Sequence, residues 1–229
     1  MRILSLLILL NSLLFSTSLK DFVDLSKCDQ IIDKQIYKVC YSYKYKGALS
    51  GWTTLYGDKV NAVNIKKRPR FYNEKTIPIK YRVKYNDYTG YGRKWNRGHF
   101  IIADADADYD IKALRKTYSM CNIQPQSAKI NQKTWIKVER YGRLLATKLG
   151  YINSISIADY KGANKTIGND VAIPTGFYRI YYNNDKNFEK CFYYANVLDV
   201  DYKYDKLKDH IVNCNKLKWM VSDFSYEFV

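Results

Sequence analysis

The sequence is poor in the residues that break or loosen a fold, with 4 prolines and 11 glycines in 229 residues. That excludes a collagen-like or low-complexity chain. No Ser/Gly/Pro-rich linker divides it, and no internal repeat is visible. Beyond Phe15 it lacks any apolar run long enough to cross a bilayer, which takes about 20 residues. Its cysteines have no CxxC spacing, which excludes a structural zinc site of the usual kind. Histidine is scarce too, with only His99 and His210 in the chain. Any histidine-based acid or base chemistry must therefore fall on one of these two.

Other residues are plentiful. Hydrophobic residues make up 47% and charged residues 26%, enough to bury a core in one sizeable domain. Lys and Arg number 38 against 22 Asp and Glu, a net charge of +16. Such a surface attracts polyanions: nucleic acid, anionic membrane or acidic polysaccharide. Charge alone does not choose among them. The 23 tyrosines suit base stacking, but tyrosine is also a common strand residue, and most are expected to be structural.

The first residues read as a targeting segment. Met1-Arg2 is a short basic start, Ile3 to Phe15 is apolar, and Ser16-Thr17-Ser18 supplies small residues. This pattern is expected of a secretory signal peptide over 1–18, followed by one domain over 19–229. The run is too short for a stable membrane anchor. Export permits disulfides. The cysteines are Cys28, Cys40, Cys121, Cys191 and Cys214, an odd number. The local pairings are Cys28 with Cys40 and Cys191 with Cys214.

Residues 36–65 alternate in a way that predicts strands with short turns. Lys66 to Arg70 is a basic cluster. Residues 86–98, with three glycines, read as loop, and Phe100 to Ala103 as a strand end. The strongest helix is Ile130 to Leu149, stopped by Gly150. Strands are expected at Ser154–Ala158, Tyr178–Tyr182 and Phe192–Val197, with a helix near Leu207–Cys214. The fold class is mixed α+β, with a central antiparallel sheet flanked by helices.

Three features could carry chemistry. His99 sits in Asn96-Arg97-Gly98-His99, where glycine allows close backbone approach and arginine adds a cation. A neutral histidine there can take a proton from water. His210 lies among lysines and reads as a surface residue without a partner. On the predicted helix, Asn131, Trp135, Glu139 and Arg143 recur every four residues and share one stripe. An amide oxygen, a carboxylate and a guanidinium on one face suit a hydrated Mg²⁺ and a phosphate. Asp104, Asp106, Asp108 and Asp110 alternate like a calcium loop. However, Tyr109 and Arg115 stand where an EF-hand needs Gly and Glu. A solvated acidic turn is expected there, with a minor role left open for Asp104.

Taken in order, these motifs resemble the DNA/RNA non-specific endonucleases, a ββα-metal family. The family's Asp-Arg-Gly-His corresponds to Asn96-Arg97-Gly98-His99. Its Ser-Asn-(x)₂-Pro-Gln corresponds to Cys121-Asn122-Ile123-Gln124-Pro125-Gln126. Its Asn-(x)₃-Trp-(x)₃-Glu-(x)₃-Arg corresponds to Asn131, Trp135, Glu139 and Arg143. Upstream, Arg68-Pro69-Arg70-Phe71, Ile77-Pro78 and Asp87-Tyr88 look like the strand and loop that precede the motif. Two residues depart from the pattern: Asn96 replaces Asp, and Cys121 replaces Ser.

The resemblance implies a ββα-metal fold and a metal-dependent endonuclease acting on DNA and RNA. It makes His99 the general base and Asn131 the direct ligand of a hydrated Mg²⁺, with Mn²⁺ as the alternative ion. Glu139 would act on the ion's water shell. Arg97 and Arg143 would contact phosphate, together with Arg68 or Arg70. Asn122 would brace the site, and Asn96 would support it. The enzyme would be exported, to the periplasm or beyond, with no stable membrane insertion. The alternative is a non-catalytic DNA-binding protein on the same fold. A cationic envelope protein is a further rival, but it would need an amphipathic basic helix that the motif-bearing segment does not resemble.

Overall fold

Alternating apolar positions in seven strands build the sheet at the centre of the molecule, seen in a computed structural model that describes residues 16–60 and 62–223. In chain order the strands are β1 (Gln30–Asp33), β2 (Lys38–Ser42), β3 (Gly47–Tyr56), β4 (Trp95–His99), β5 (Ile123–Ser127), β6 (Tyr151–Asp159), β7 (Thr166–Ile167), β8 (Val171–Ala172), β9 (Gly176–Asn183), β10 (Phe188–Ala195) and β11 (Ile211–Val212). The helices are α1 (Ile111–Thr117), α2 (Trp135–Leu149) and α3 (Cys214–Asp223). The main sheet runs β1-β2-β3-β6-β9-β10-β11, and its described pairings are all antiparallel. The β4–β5 hairpin stands apart as a two-stranded sheet.

Strand period sorts the side chains onto two faces. Phe177 and Tyr181 of β9 join Phe192 and Tyr194 of β10 in the larger core, under α2. Ile180, Ile155 and Cys191 point the other way and meet Phe22, Val23 and Leu217. Tyr37, Tyr41, Tyr88, Tyr181 and Tyr194 are among the largest fully buried side chains, so many tyrosines are core residues, as expected.

Helix α2 lies across the sheet through Trp135, Val138, Gly142, Leu145 and Ala146, all buried. A side chain at Gly142 would run into the Tyr181 ring, so glycine is what lets the helix approach. The Tyr181 hydroxyl donates to the Val138 carbonyl at 2.9 Å. Gly150 ends the helix at φ +89°, a conformation open to glycine. The segment ahead of it, Ile130–Thr134, winds as a π turn, a departure from the regular helix expected from 130.

Several expectations are corrected. Trp95–His99 is strand β4, not loop, because it pairs in full register with β5. Its three neighbouring glycines had masked that pairing. Phe100 to Ala103 is buried but irregular, with no strand partner. Regular strand ends at Tyr56, well before residue 65. The C-terminal helix begins at Cys214, where it had been expected to end, and Leu207–His210 is a 3₁₀ turn leading into β11.

Cys28–Cys40 and Cys191–Cys214 are disulfides, the local pairings expected. Cys121 is free and buried. The expected leader falls largely outside the described residues. Thr17 is already tied to the body: its backbone N–H donates to Asn184 Oδ1 at 3.0 Å and its hydroxyl to Glu189 Oε2 at 2.6 Å. No described helix is long and apolar enough to cross a membrane.

Candidate active site

The hairpin and the following helix, β4–β5–π turn–α2, form the platform. Strand period places Trp95, Arg97 and His99 on one face of β4 and Asn96 and Gly98 on the other. A Cβ at Gly98 would collide with the Gln126 side chain across the hairpin. Glycine is therefore required for the two strands to close just before His99.

His99 is packed between aromatic rings, with Tyr118 edge-on at 5.0 Å and Phe71 tilted at 5.8 Å. Its Nε2 is buried and has no hydrogen-bond partner among the described residues. Burial pushes the imidazole down from 6.5 to about 4; the Asp104 carboxylate opposes this and the Arg68 cation reinforces it. His99 is thus neutral over most of the physiological range.

The two arginine candidates upstream separate clearly. Arg68 pairs through Nε with Asp104 and through Nη2 with Asp108, each at 3.2 Å. Asp104 also accepts from the Tyr118 hydroxyl at 3.1 Å, which joins Arg68 to the aromatic wall of His99. Arg70 has no such tie among the described residues. The acidic run is therefore not a solvated turn, and that expectation is corrected. Asp106 and Asp108 are buried, Asp104 holds Arg68, and Asp110 caps α1 by accepting from the N–H groups of Lys112 and Ala113.

Asp106 reaches the helix. Its Oδ1 accepts from Arg143 Nη1 at 2.8 Å, and its Oδ2 accepts from the Ala103 N–H at 3.0 Å. Burial works against both charges, yet the contact with Asp106 holds the Arg143 guanidinium above its ordinary range. One turn earlier, burial pushes the Glu139 carboxyl up to about 8; Asp106 adds to this, while Arg179 and Arg143 oppose it. The Asp104 carboxylate raises both the His99 and the Glu139 titration.

Asn96 links the hairpin to the start of the helix. Its Oδ1 accepts from Asn131 Nδ2 at 3.1 Å and from Gln132 Nε2 at 2.8 Å, while its own Nδ2 donates to the Gly92 carbonyl at 2.8 Å. Asn131 is thereby fixed to the hairpin by its amide nitrogen, and its Oδ1 accepts no hydrogen bond from the described residues. Arg97 lies flat on Tyr85, its guanidinium carbon 3.7 Å from the ring centroid, and donates to the Tyr85 carbonyl at 3.0 Å.

Asn122 is wholly buried and uses its entire amide. Oδ1 accepts from the N–H groups of Ile101 and Ile102, and Nδ2 donates to the carbonyls of Ile102 and Thr117. It sets the chain leaving His99 without facing the pocket. Trp135 is the core anchor of the helix stripe, 1% exposed.

His210 corrects another expectation. It is not an unpartnered surface residue: Nε2 meets Asp205 Oδ1 at 2.5 Å, Nδ1 meets the Tyr193 carbonyl at 3.0 Å, and the ring stacks on Tyr194. Asp205 also pairs with Lys137 of α2 at 2.6 Å and Tyr194 packs on Trp135, so His210 braces the flank of that helix. Sequence reasoning missed Asp106, Tyr118 and Arg179. The readable sign for Arg179 was a lone cation at an inward strand position between Phe177 and Tyr181.

The family model described as DNA/RNA non-specific endonuclease matches residues 16–227. The chain is 28% identical over 162 residues to mitochondrial endonuclease G of Homo sapiens, covering 66% of this chain and 54% of that protein. It is 28% identical over 126 residues to the mitochondrial nuclease EXOG of Homo sapiens, covering 50% of this chain and 33% of that protein. The matches thus span about half, or less, of those relatives' length. Among solved structures, a crystal structure of the EndoG/EndoGI complex superposes with a TM-score of 0.72 at 18% identity, covering 84% of this chain and 83% of that one. That likeness shows the fold: the mixed α+β architecture expected from sequence, with the ββα unit at its centre.

Proposed function

Because this chain belongs to the DNA/RNA non-specific endonuclease family, we propose that it is a metal-dependent phosphodiesterase cutting DNA and RNA with little regard for sequence. The observation that carries this reading is the neutral His99, with an unpartnered ring nitrogen, under the charge of Arg68 and two residues after Arg97 on β4. Native buried polar atoms are nearly all satisfied, so an orphan ring nitrogen suits a group completed by its reactant.

In this reading His99 takes a proton from water as the water oxygen attacks phosphorus and the bond to the leaving oxygen breaks. Arg97, Arg143 and Arg68 hold the phosphate oxygens and stabilise the added negative charge. Arg68, rather than Arg70, takes this role because its link through Asp104 and Tyr118 puts it beside His99. These roles are all directed at phosphate, and phosphate contacts carry no sequence information.

The donor set fits one class of ion. Among the described residues, no three His, Cys, Asp or Glu side chains gather as a metal cage, so a fully ligated zinc does not fit. The free Oδ1 of Asn131 and the carboxylate of Glu139 suit Mg²⁺, or Mn²⁺, which keeps most of its waters. Asn131 would hold the ion directly and Glu139 through water. When bound, such an ion offsets charge building on the scissile phosphate.

Export fits the same reading. Two disulfides favour an oxidising compartment, and the leader expected over 1–18, preceding a single domain over 19–229, would direct the chain to the periplasm or outside the cell. The excess lysine and arginine would capture nucleic acid through phosphate. The test is direct. Wild type and His99→Ala are incubated with plasmid DNA and with RNA, in Mg²⁺ or EDTA. Cleavage of both polymers in Mg²⁺ is expected, with none in EDTA and a loss of about 10²- to 10⁴-fold in the variant. Binding without cleavage by wild type would favour the non-catalytic DNA-binding alternative.

A further inference from the structure

Arg179 sits mid-way along β9, on the face shared with Phe177 and Tyr181, and is 1% exposed. Burying a guanidinium is costly unless its N–H groups are used. Here Nη2 donates to the Phe100 carbonyl at 2.7 Å, and Nη1 donates to the Ile101 carbonyl at 2.9 Å and to Ser154 Oγ at 3.0 Å. All of its hydrogen bonds among the described residues go to neutral oxygens. Its guanidinium carbon also lies over Trp135, 4.8 Å from the ring centroid.

These partners have a common meaning. Phe100 and Ile101 directly follow His99. Asn122 takes the N–H groups of the same two residues, Phe100 through its carbonyl at 2.9 Å and Ile101 through Oδ1 at 2.9 Å. The segment leaving His99 is therefore gripped from both sides. Trp135 lies one turn from Asn131 and one turn from Glu139 on the same helix stripe. A single buried cation thus touches the sheet, the exit of the histidine strand and the helix that carries the other site residues.

We propose that Arg179 is a positioning residue that holds His99 in register with the helix bearing Asn131 and Glu139. This inference rests on the nuclease reading of that site. Lysine would keep the charge, but its single ammonium cannot span both carbonyls and the serine while lying flat on an indole.

The experiment uses the full, disulfide-bonded protein and two readouts. The first is the His99 ring ¹H–¹³C resonance, assigned by its loss in His99→Gln. The second is kcat and KM on a quenched fluorescent oligonucleotide in Mg²⁺, measured well below the melting temperature. Misplacing a reacting group by about 1 Å costs on the order of 100-fold. Arg179→Lys is expected to move the His99 resonance and lower kcat by at least about tenfold, with KM changed less than about twofold. A folded Arg179→Lys protein with an unmoved resonance and wild-type kcat overturns the proposal. Should that variant fail to fold, Ser154→Ala, which removes only one acceptor, is expected to move the resonance and lower kcat about threefold; no effect on either overturns the proposal. If wild type cuts no nucleic acid, the nuclease reading fails by itself, and the resonance still decides whether Arg179 sets His99.

Discussion

Replacing His99 with Asn should change how the protein responds to acid, by an amount that follows from burial. The imidazole titrates near 6.5 when free and is pushed down to about 4 in the folded chain, first by burial and then by Arg68, against Asp104. Between those values the unfolded chain takes up a proton that the folded chain refuses. His99 therefore leaves stability intact above pH 6.5 and erodes it as pH falls towards 4. At about 1.4 kcal/mol per pH unit, the loss comes to about 3 kcal/mol. Urea unfolding of wild type and His99→Asn across pH 7.5 to 3.5 isolates this effect, because the carboxylates are common to both. The wild-type advantage should shrink by about 3 kcal/mol over that range. A difference independent of pH would refute the argument that His99 is buried and neutral. The same depression keeps His99 unprotonated well below pH 6.5, so titration of this proposed base should add no acid limb to kcat/KM near 6.5.

The remaining predictions address the braces. Asn96→Asp keeps the acceptor for Asn131 and Gln132 but loses the donor to the Gly92 carbonyl, so the cleavage rate should change by less than about tenfold; complete loss would show a different use of this position. Asp106→Asn leaves Arg143 without its counter-charge at a contact where the side chains are only 13% and 2% exposed. Unfolding free energy should fall by about 3 kcal/mol, and an unchanged urea midpoint would contradict that pairing. Thiol titration in denaturant without reductant should detect Cys121 alone, and reduction should lower stability by about 3 kcal/mol per disulfide. Five reactive thiols before reduction would refute both bridges.

Much of the site was legible because its parts lie close along the chain. Arg97 and His99 are two apart on a strand, and Trp135, Glu139 and Arg143 are four apart on a helix, so spacing alone puts each set on one face. Local disulfides were legible for the same reason. The choice between Arg68 and Arg70 was not, because it depends on Asp104 and Asp108, which approach from a different turn. The acidic run was misread because alternation in an irregular segment says nothing about what each carboxylate will meet. β4 was taken for loop because glycines mark turns, whereas here Gly98 serves a close strand approach that only the position of Gln126 reveals. His210 looked free among lysines because its partners, Asp205 and the Tyr193 carbonyl, come from a turn and a strand that only the folded chain brings round it.

The amino-acid sequence by itself determined the family motif, the +16 charge, the mixed α+β class and which residues are candidates for the site. These depend on residue type and short-range periodicity. The tertiary structure decided the environment of each group: that His99 is neutral with an unpartnered nitrogen, that Asp106 rather than solvent meets Arg143, and that Arg179 spans the sheet, the exit of the histidine strand and the helix. Such properties arise from burial and from partners far apart in the chain, and low dielectric makes them strong. No local pattern encodes them, because desolvation belongs to the packed molecule and not to any one segment.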